Sequence, residues 1–266
     1  MRSLKLAASL AFLFTLSVAP AFAADEPQQI EARPLEQISA LGQEIYRQDV
    51  AAWVASDAFV AWLNGRTPTG AAGWIVVRNG DDQVVRFVKK IDGVLSTGWD
   101  VPVVRGQAGA VVEADGQPLS VEETEMFDAR QTALAADNPM RCAATVNTAV
   151  TRDPQGQGWL VWILTPMPAS DVVPMGGHQR LVISEDGKTI LRRDFLSAGC
   201  MNMKAPDASQ GVPAALAVTT IVSDRPTEAH VFLSLQHRLP IYVGTPQGLM
   251  YAVEGPNIRK VDLPAQ

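Results

Sequence analysis

Apolar and polar positions along the chain change their rhythm three times. From Leu6 to Val18 the chain is apolar apart from small residues, with Arg2 and Lys5 before it and Ala21-Phe22-Ala23 after it. A basic start, a short apolar run and a small-x-small site predict a secretory signal peptide over residues 1–23, cleaved near Ala23. The competing reading is a membrane anchor, but the run is shorter than the ~20 residues a spanning helix needs. No later segment has the length to span a bilayer, and no cysteine at the cleavage site suggests a lipid anchor. Residues 24–34 are polar with two prolines and predict a flexible lead-in.

The second rhythm is helical. Leu35, Ile38, Leu41, Ile45, Ala52 and Trp53 recur near a helical period, which predicts one long helix to Leu63 or two with a break near Ser56-Asp57. Pro34 suits the start and Asn64-Gly65 the end.

The third is strand-like. GWIVVR (73–78) and QVVRFVKK (83–90) flank Asn79-Gly80-Asp81-Asp82, a hairpin signal. Val101–Arg105 and Ala110–Glu113 predict further strands, with a turn at 114–117. Ser120-Val121-Glu122-Glu123 has the capping-box spacing, so a helix is expected from Val121 to about Ala136, stopped by Asn138-Pro139.

After Pro139 the pattern predicts almost only strands. Cys142 leads into one ending near Thr151, and Gly158–Thr165 (GWLVWILT) is a continuous apolar run that predicts a central strand buried on both faces. HQRLVISEDGKTILRRDF predicts two strands around Glu185–Lys188, Met201–Gln210 a polar loop, and Ala214–Ser223 a strand. The segment from Ala229 to Leu263 breaks into four short strands and predicts an antiparallel meander. Helices come early, strands late, and βαβ alternation is not apparent. The expected class is therefore α+β. An α+β lobe over 35–139 holds the N-terminal helix, antiparallel strands and the capped helix. A mostly antiparallel β-rich lobe occupies 140–266.

Charge and cysteines narrow the picture. The chain carries −6 at neutral pH, and removing the leader makes this −8, because Arg2 and Lys5 are lost. An acidic protein repels polyphosphate, so nucleic acid is excluded as the expected partner. The only two cysteines of an exported chain predict a Cys142–Cys200 disulfide, worth about 4 kcal/mol by chain entropy. A redox or metal thiol pair is the alternative, and no C-x-x-C supports it.

No G-x-S-x-G, H-E-x-x-H, phosphate-binding glycine loop or zinc-spaced cysteine set is present. The candidate chemistry gathers around Gly176-Gly177-His178. On a strand from there, His178, Arg180 and Val182 share one face, while the more apolar Gln179, Leu181 and Ile183 share the other. His178 and Arg180 are thus expected on a polar or partly open face as ligand-contacting candidates. The bland alternative is a strand-start histidine bonded to a neighbour. As a titrating group, His178 is also the residue around which a hydrolase or metal-dependent enzyme would be centred.

His230 and His237 lie seven apart, on opposite faces if VFLSLQ is a strand, so one strand cannot give both to a metal. His178 with Met201 and Met203 is the kind of soft donor set that holds Cu(I), against the commoner role of Met as core filler. Trp159 and Trp162 should point to opposite faces of one strand, Trp53, Trp62, Trp74 and Trp99 are scattered, and core packing is the expected role for most of the tryptophans. A ligand-stacking platform would need several on one surface. The GGH-x-R and S-x-DGKT segments (176–189), ending at Cys200, resemble small exported bacterial proteins; the resemblance covers the cysteine lobe and implies no activity.

Taken together these features predict an exported, soluble protein, periplasmic or secreted. The expected role is a non-catalytic module binding a small molecule or an envelope protein, with no cofactor and no membrane span. The alternatives are the His178-centred enzyme and a periplasmic Cu(I)-binding protein using His178, Met201 and Met203.

Overall fold

A computed structural model describes residues 28–114, 116–156, 158–206 and 215–262. The leader and its cleavage point therefore lie outside the described residues, as do Asp115 of the 114–117 turn, residues 207–210 of the expected loop and Ala214. Residues 28–34 have no regular structure but are tied down: Ile30 N–H donates to Val222 O at 2.9 Å, and Arg33 pairs with Asp153 at 3.3 Å, both side chains buried. The described part of the expected flexible lead-in is thus anchored to the fold.

The chain forms an α+β protein whose strands are mostly antiparallel. Helix α1 (Leu35–Leu63) begins after Pro34, runs without a break at Ser56-Asp57 and ends at Asn64 in the left-handed conformation. It serves two cores in succession. Ile38, Leu41 and Ile45 pack with Leu160, Trp162 and Phe232. Ala51, Ala55 and Phe59 pack with Val85, Phe87, Trp99 and Val101. The buried stripe runs through Ala51 and Ala55, not Trp53, which is 65 % exposed.

The second of these cores lies on a sheet of β1 (Ala71–Asn79), β2 (Asp82–Ile91), β3 (Val94–Val104) and the short β4 (Gln107–Ala108) and β5 (Val112–Glu113). Asn79 pairs with Asp82 across the predicted hairpin turn. β3 starts seven residues earlier than the pattern suggests, after a turn at Asp92-Gly93, and the expected 110–113 strand shrinks to β5. Helix α2 (Val121–Ala135) has the predicted capping box: Glu123 N–H donates to Ser120 Oγ at 3.2 Å and Ser120 N–H to Glu123 Oε2 at 2.9 Å.

The second sheet, in the order β10-β9-β7-β6, is antiparallel throughout and comprises β6 (Asn147–Arg152), β7 (Trp159–Leu164), β9 (Gln179–Ile183) and β10 (Ile190–Phe195). All six residues of β7 are buried, in keeping with the unbroken apolar run. Trp159 enters a core with Ala129 and Ala133 of α2, and Trp162 enters the opposite core with α1. Helices thus cover both faces of this sheet.

Strand β8 (Val172–Pro174) pairs with β11 (Asn202–Lys204), which stands where a polar loop is expected. Beside them the Cys142–Cys200 disulfide is formed, with Cα atoms 5.5 Å apart. Gly177, at φ 87°, passes against this bridge; a Cβ there would overlap Cys142 Sγ and Thr165 Oγ1.

The expected four-stranded meander is corrected in two ways. Its first segment is helix α3 (Glu228–His237), not a strand. Residues Glu228 to Ser234 are all buried, so burial on every side erased the amphipathic period that marks a surface helix. Further, β12 (Leu216–Thr219) runs parallel to β13 (Ile241–Gly244), with α3 as the crossover between them. One βαβ unit therefore exists where none is expected. β14 (Met250–Glu254) and β15 (Asn257–Val261) complete the sheet as antiparallel neighbours.

Ser120→Ala should lower stability by about 1 kcal/mol, because it strands the Glu123 donor at the first turn of α2. Urea unfolding of the purified protein checks this; an unchanged midpoint would count against the cap.

Candidate functional site

His178 immediately precedes β9 and is 1 % exposed. Thr165 N–H donates to its Nδ1 at 3.3 Å, and its Nε2 lies 2.6 Å from Pro174 O. The ring therefore holds its proton on Nε2 and donates it to that carbonyl. Burial pushes its pKa down to about 4, against the pull of the Pro174 carbonyl. Neither partner is a carboxylate that could orient an acid–base histidine.

Arg180 is equally buried. Its Nε and Nη2 donate to Asp194 Oδ2 at 3.0 and 2.7 Å, and its Nη1 to Glu228 Oε1 at 2.9 Å. Burial alone would lower the Arg180 pKa, but the Glu228 and Asp194 charges outweigh it and raise it. For Glu228 burial pulls upward, and Arg180 together with the Trp162 indole N–H holds the carboxyl below its usual range. The expectation that His178 and Arg180 occupy a polar or partly open face is thus corrected. It assumes a sheet with one wet face, whereas both faces carry helices.

The proposed copper donors separate along the same lines. Met203 packs partly buried on the main core, and Met201 is 40 % exposed. Both His178 nitrogens are committed to backbone groups, which leaves neither lone pair for a soft metal. His230 sits in the first turn of α3, accepts from Thr227 N–H at 2.9 Å, and has a pKa of about 4 through burial and then the neighbouring His178. Because the segment is a helix, His230 and His237 lie on similar sides of it, not on the opposite faces a strand would give. Among the described residues no group of three or more His, Cys, Asp or Glu side chains is placed to hold a metal ion.

A place with room for a ligand lies elsewhere. A cleft of about 700 Å³ opens where α1, β1, α2, the start of β6 and the end of α3 meet. Tyr46, Asp49, Trp53 and Ser56, spaced three or four residues apart, give it one face of α1. Trp74 of β1 and Met167, from the loop after β7, add apolar surface. Arg130 of α2 enters with its guanidinium 4.2 Å from the Trp74 ring centre, and its Nε donates to Thr148 Oγ1 at 2.9 Å. Beside it, Gly73 at φ 147° lets α2 pack closely on β1: a Cβ there would lie 3.2 Å from both the Phe127 ring and Gln131 Nε2. Burial lowers the Arg130 pKa to about 10, so the group stays charged at neutral pH.

Asp49 accepts from Asn147 Nδ2 at 2.8 Å and from Gln236 Nε2 at 3.2 Å. Burial raises its pKa, with the Asn147 amide pulling the other way. No acid–base pair is formed here; the cleft offers aromatic surface, amides and guanidinium groups.

The sequence pattern points to none of these residues as a site, although two signals are present in it. Trp53 lies eight residues after Ile45, about 80° round the helix from it, and is therefore out of phase with the buried stripe. Arg130 lies three residues after Phe127, a cation at an inward phase of α2. Comparison with protein-family models, with curated proteins and with solved structures finds no match to this chain.

The two buried histidines set a pH dependence. Their folded pKa values, about 4, lie below the unfolded value of about 6.5, so the unfolded state binds more protons in between. Their contribution is full above pH ~6.5 and is lost as pH falls toward 4, at about 1.4 kcal/mol per pH unit for each. Urea midpoints at pH 7.5, 6 and 5 should decline accordingly. A flat profile over that range would show that the rings are not held neutral.

Proposed function

We propose that the protein is a non-catalytic binding module of the cell envelope that takes a small amphipathic molecule into the α1–β1–α2 cleft. The observation that carries this reading is Trp53, 65 % exposed on α1 and facing a cleft that Tyr46 and Trp74 also line. Exposed tryptophan is costly in water and is recovered when an apolar partner covers it. The volume suits one small organic molecule. Retention of His178 and Arg180 as buried, fully bonded groups speaks against a reaction centred on them.

The site of action in this reading is the periplasm or the exterior. The leader pattern supports export, and the Cys142–Cys200 disulfide supports an oxidising compartment. No helix among the described residues is long and apolar enough to cross a membrane.

Titration of the purified protein with N-phenyl-1-naphthylamine, an uncharged apolar dye, tests the reading. One saturable site is expected, with tryptophan quenching. Trp53→Ala should weaken the dye about tenfold, the scale of one lost aromatic contact with its buried area. Absence of saturable binding, or equal binding by Trp53→Ala, would overturn the proposal.

A further inference from the structure

Resting on that reading, we infer that the cleft selects molecules that carry an anionic group, a carboxylate, sulfonate or phosphate, on an apolar body, with Arg130 as the partner of the anion. The protein as a whole is acidic, at −6, yet this cleft is lined by two guanidinium groups, Arg130 and Arg238. Neither forms an ion pair among the described residues. Several arginines elsewhere are neutralised: Arg180 by Asp194 and Glu228, Arg86 by Asp100 and Glu123, Arg152 by Glu122 and Glu125. Arg66, Arg141 and Arg193, which form no ion pair among the described residues, donate to backbone carbonyls instead.

Arg130 is held as a receptor group would be. Its Nε is fixed on Thr148 and its guanidinium carbon sits over the Trp74 ring, so the side chain has little rotamer freedom left to lose. Its Nη1 and Nη2 have no acceptor among the described residues. A charge that is partly withdrawn from water without a counter-charge is destabilising, and an anion entering the cleft relieves this. Two parallel N–H donors suit a planar carboxylate or a tetrahedral oxyanion.

Asp49 is the one carboxylate among the cleft-lining residues, and it does not neutralise Arg130. Asn147 and Gln236 amides hold its two oxygens, and it forms no ion pair among the described residues. Trp53, Trp74 and Met167 then receive the apolar body.

Two dyes separate this inference from the binding reading. 8-Anilinonaphthalene-1-sulfonate and N-phenyl-1-naphthylamine share their rings and differ by the sulfonate. Arg130→Met keeps the aliphatic stem and removes the charge. It should weaken the sulfonate dye about tenfold more than it weakens the uncharged dye.

A wild-type control removes any dependence on the folding of that variant. Raising NaCl from about 20 to about 500 mM should weaken the sulfonate dye severalfold and not the uncharged one. If both dyes bind but respond alike to the substitution and to salt, the anion inference falls and the binding reading stands. If the uncharged dye binds and the sulfonate does not, the inference falls likewise. If neither binds, both fall together.

Discussion

A guanidinium buried in the face of β9 constrains much of this molecule. Arg180 cannot leave water without negative partners, because an unpaired charge in a low-dielectric core costs several kcal/mol. Its partners come from two directions: Asp194 from the neighbouring β10 and Glu228 from α3. Only if α3 lies with its first turn over this sheet can Glu228 reach. The carboxylate then also accepts from the Trp162 indole and sits at the positive end of the helix dipole. The cluster thereby specifies the placement of α3 more than it adds net stability, which is the usual balance for buried ion pairs.

The placement of α3 in turn shapes the last sheet and the cleft. It makes β12 and β13 parallel neighbours, and it carries Gln236 and Arg238 to the cleft. Helix α1 supplies the opposite constraint. Its first half packs with α3 and the central sheet, its second half with the β1–β3 sheet. An unbroken helix shared by two cores has a third face that neither core covers. Asp49 and Trp53 occupy that face, with Tyr46 at its margin against the main core, so the cleft is a consequence of how the cores meet.

The features legible in the sequence are those that a local rule determines. Asn79 to Asp82 is a turn because the flanking residues pair across it, Ser120 and Glu123 satisfy each other within four residues, and β7 is apolar throughout because both its faces are covered. Two cysteines leave one pairing. The expectations that fail depend on what lies on the far side of an element. α3 reads as a strand because its periodicity vanishes under burial on all sides. Alternation on β9 points His178 and Arg180 outward only if one face of the sheet is wet. The partners that tolerate them inside are Pro174 O, Asp194 and Glu228, and only the first of these lies close in sequence to the group it serves. Trp53 reads as part of the core stripe because it lies next to Ala52, although its phase does not match.

The two arginines at the centre of this structure show how a buried-face cation can be sorted into scaffold or site. Arg180 and Arg130 both lose much of their hydration, and both have one edge fixed by a neighbouring side chain. For Arg180 the fold supplies two carboxylates and an indole-bonded network, and the group ends with its charge matched and its pKa raised. For Arg130 the fold supplies a hydroxyl and an aromatic face, neither of which carries a negative charge, and burial lowers its pKa to about 10. A protein gains nothing in stability by leaving such a group uncompensated beside an open cleft. The asymmetry is physically sensible when the missing charge arrives with a ligand, since the same unmet attraction that weakens the empty protein then becomes affinity and selectivity in the occupied one.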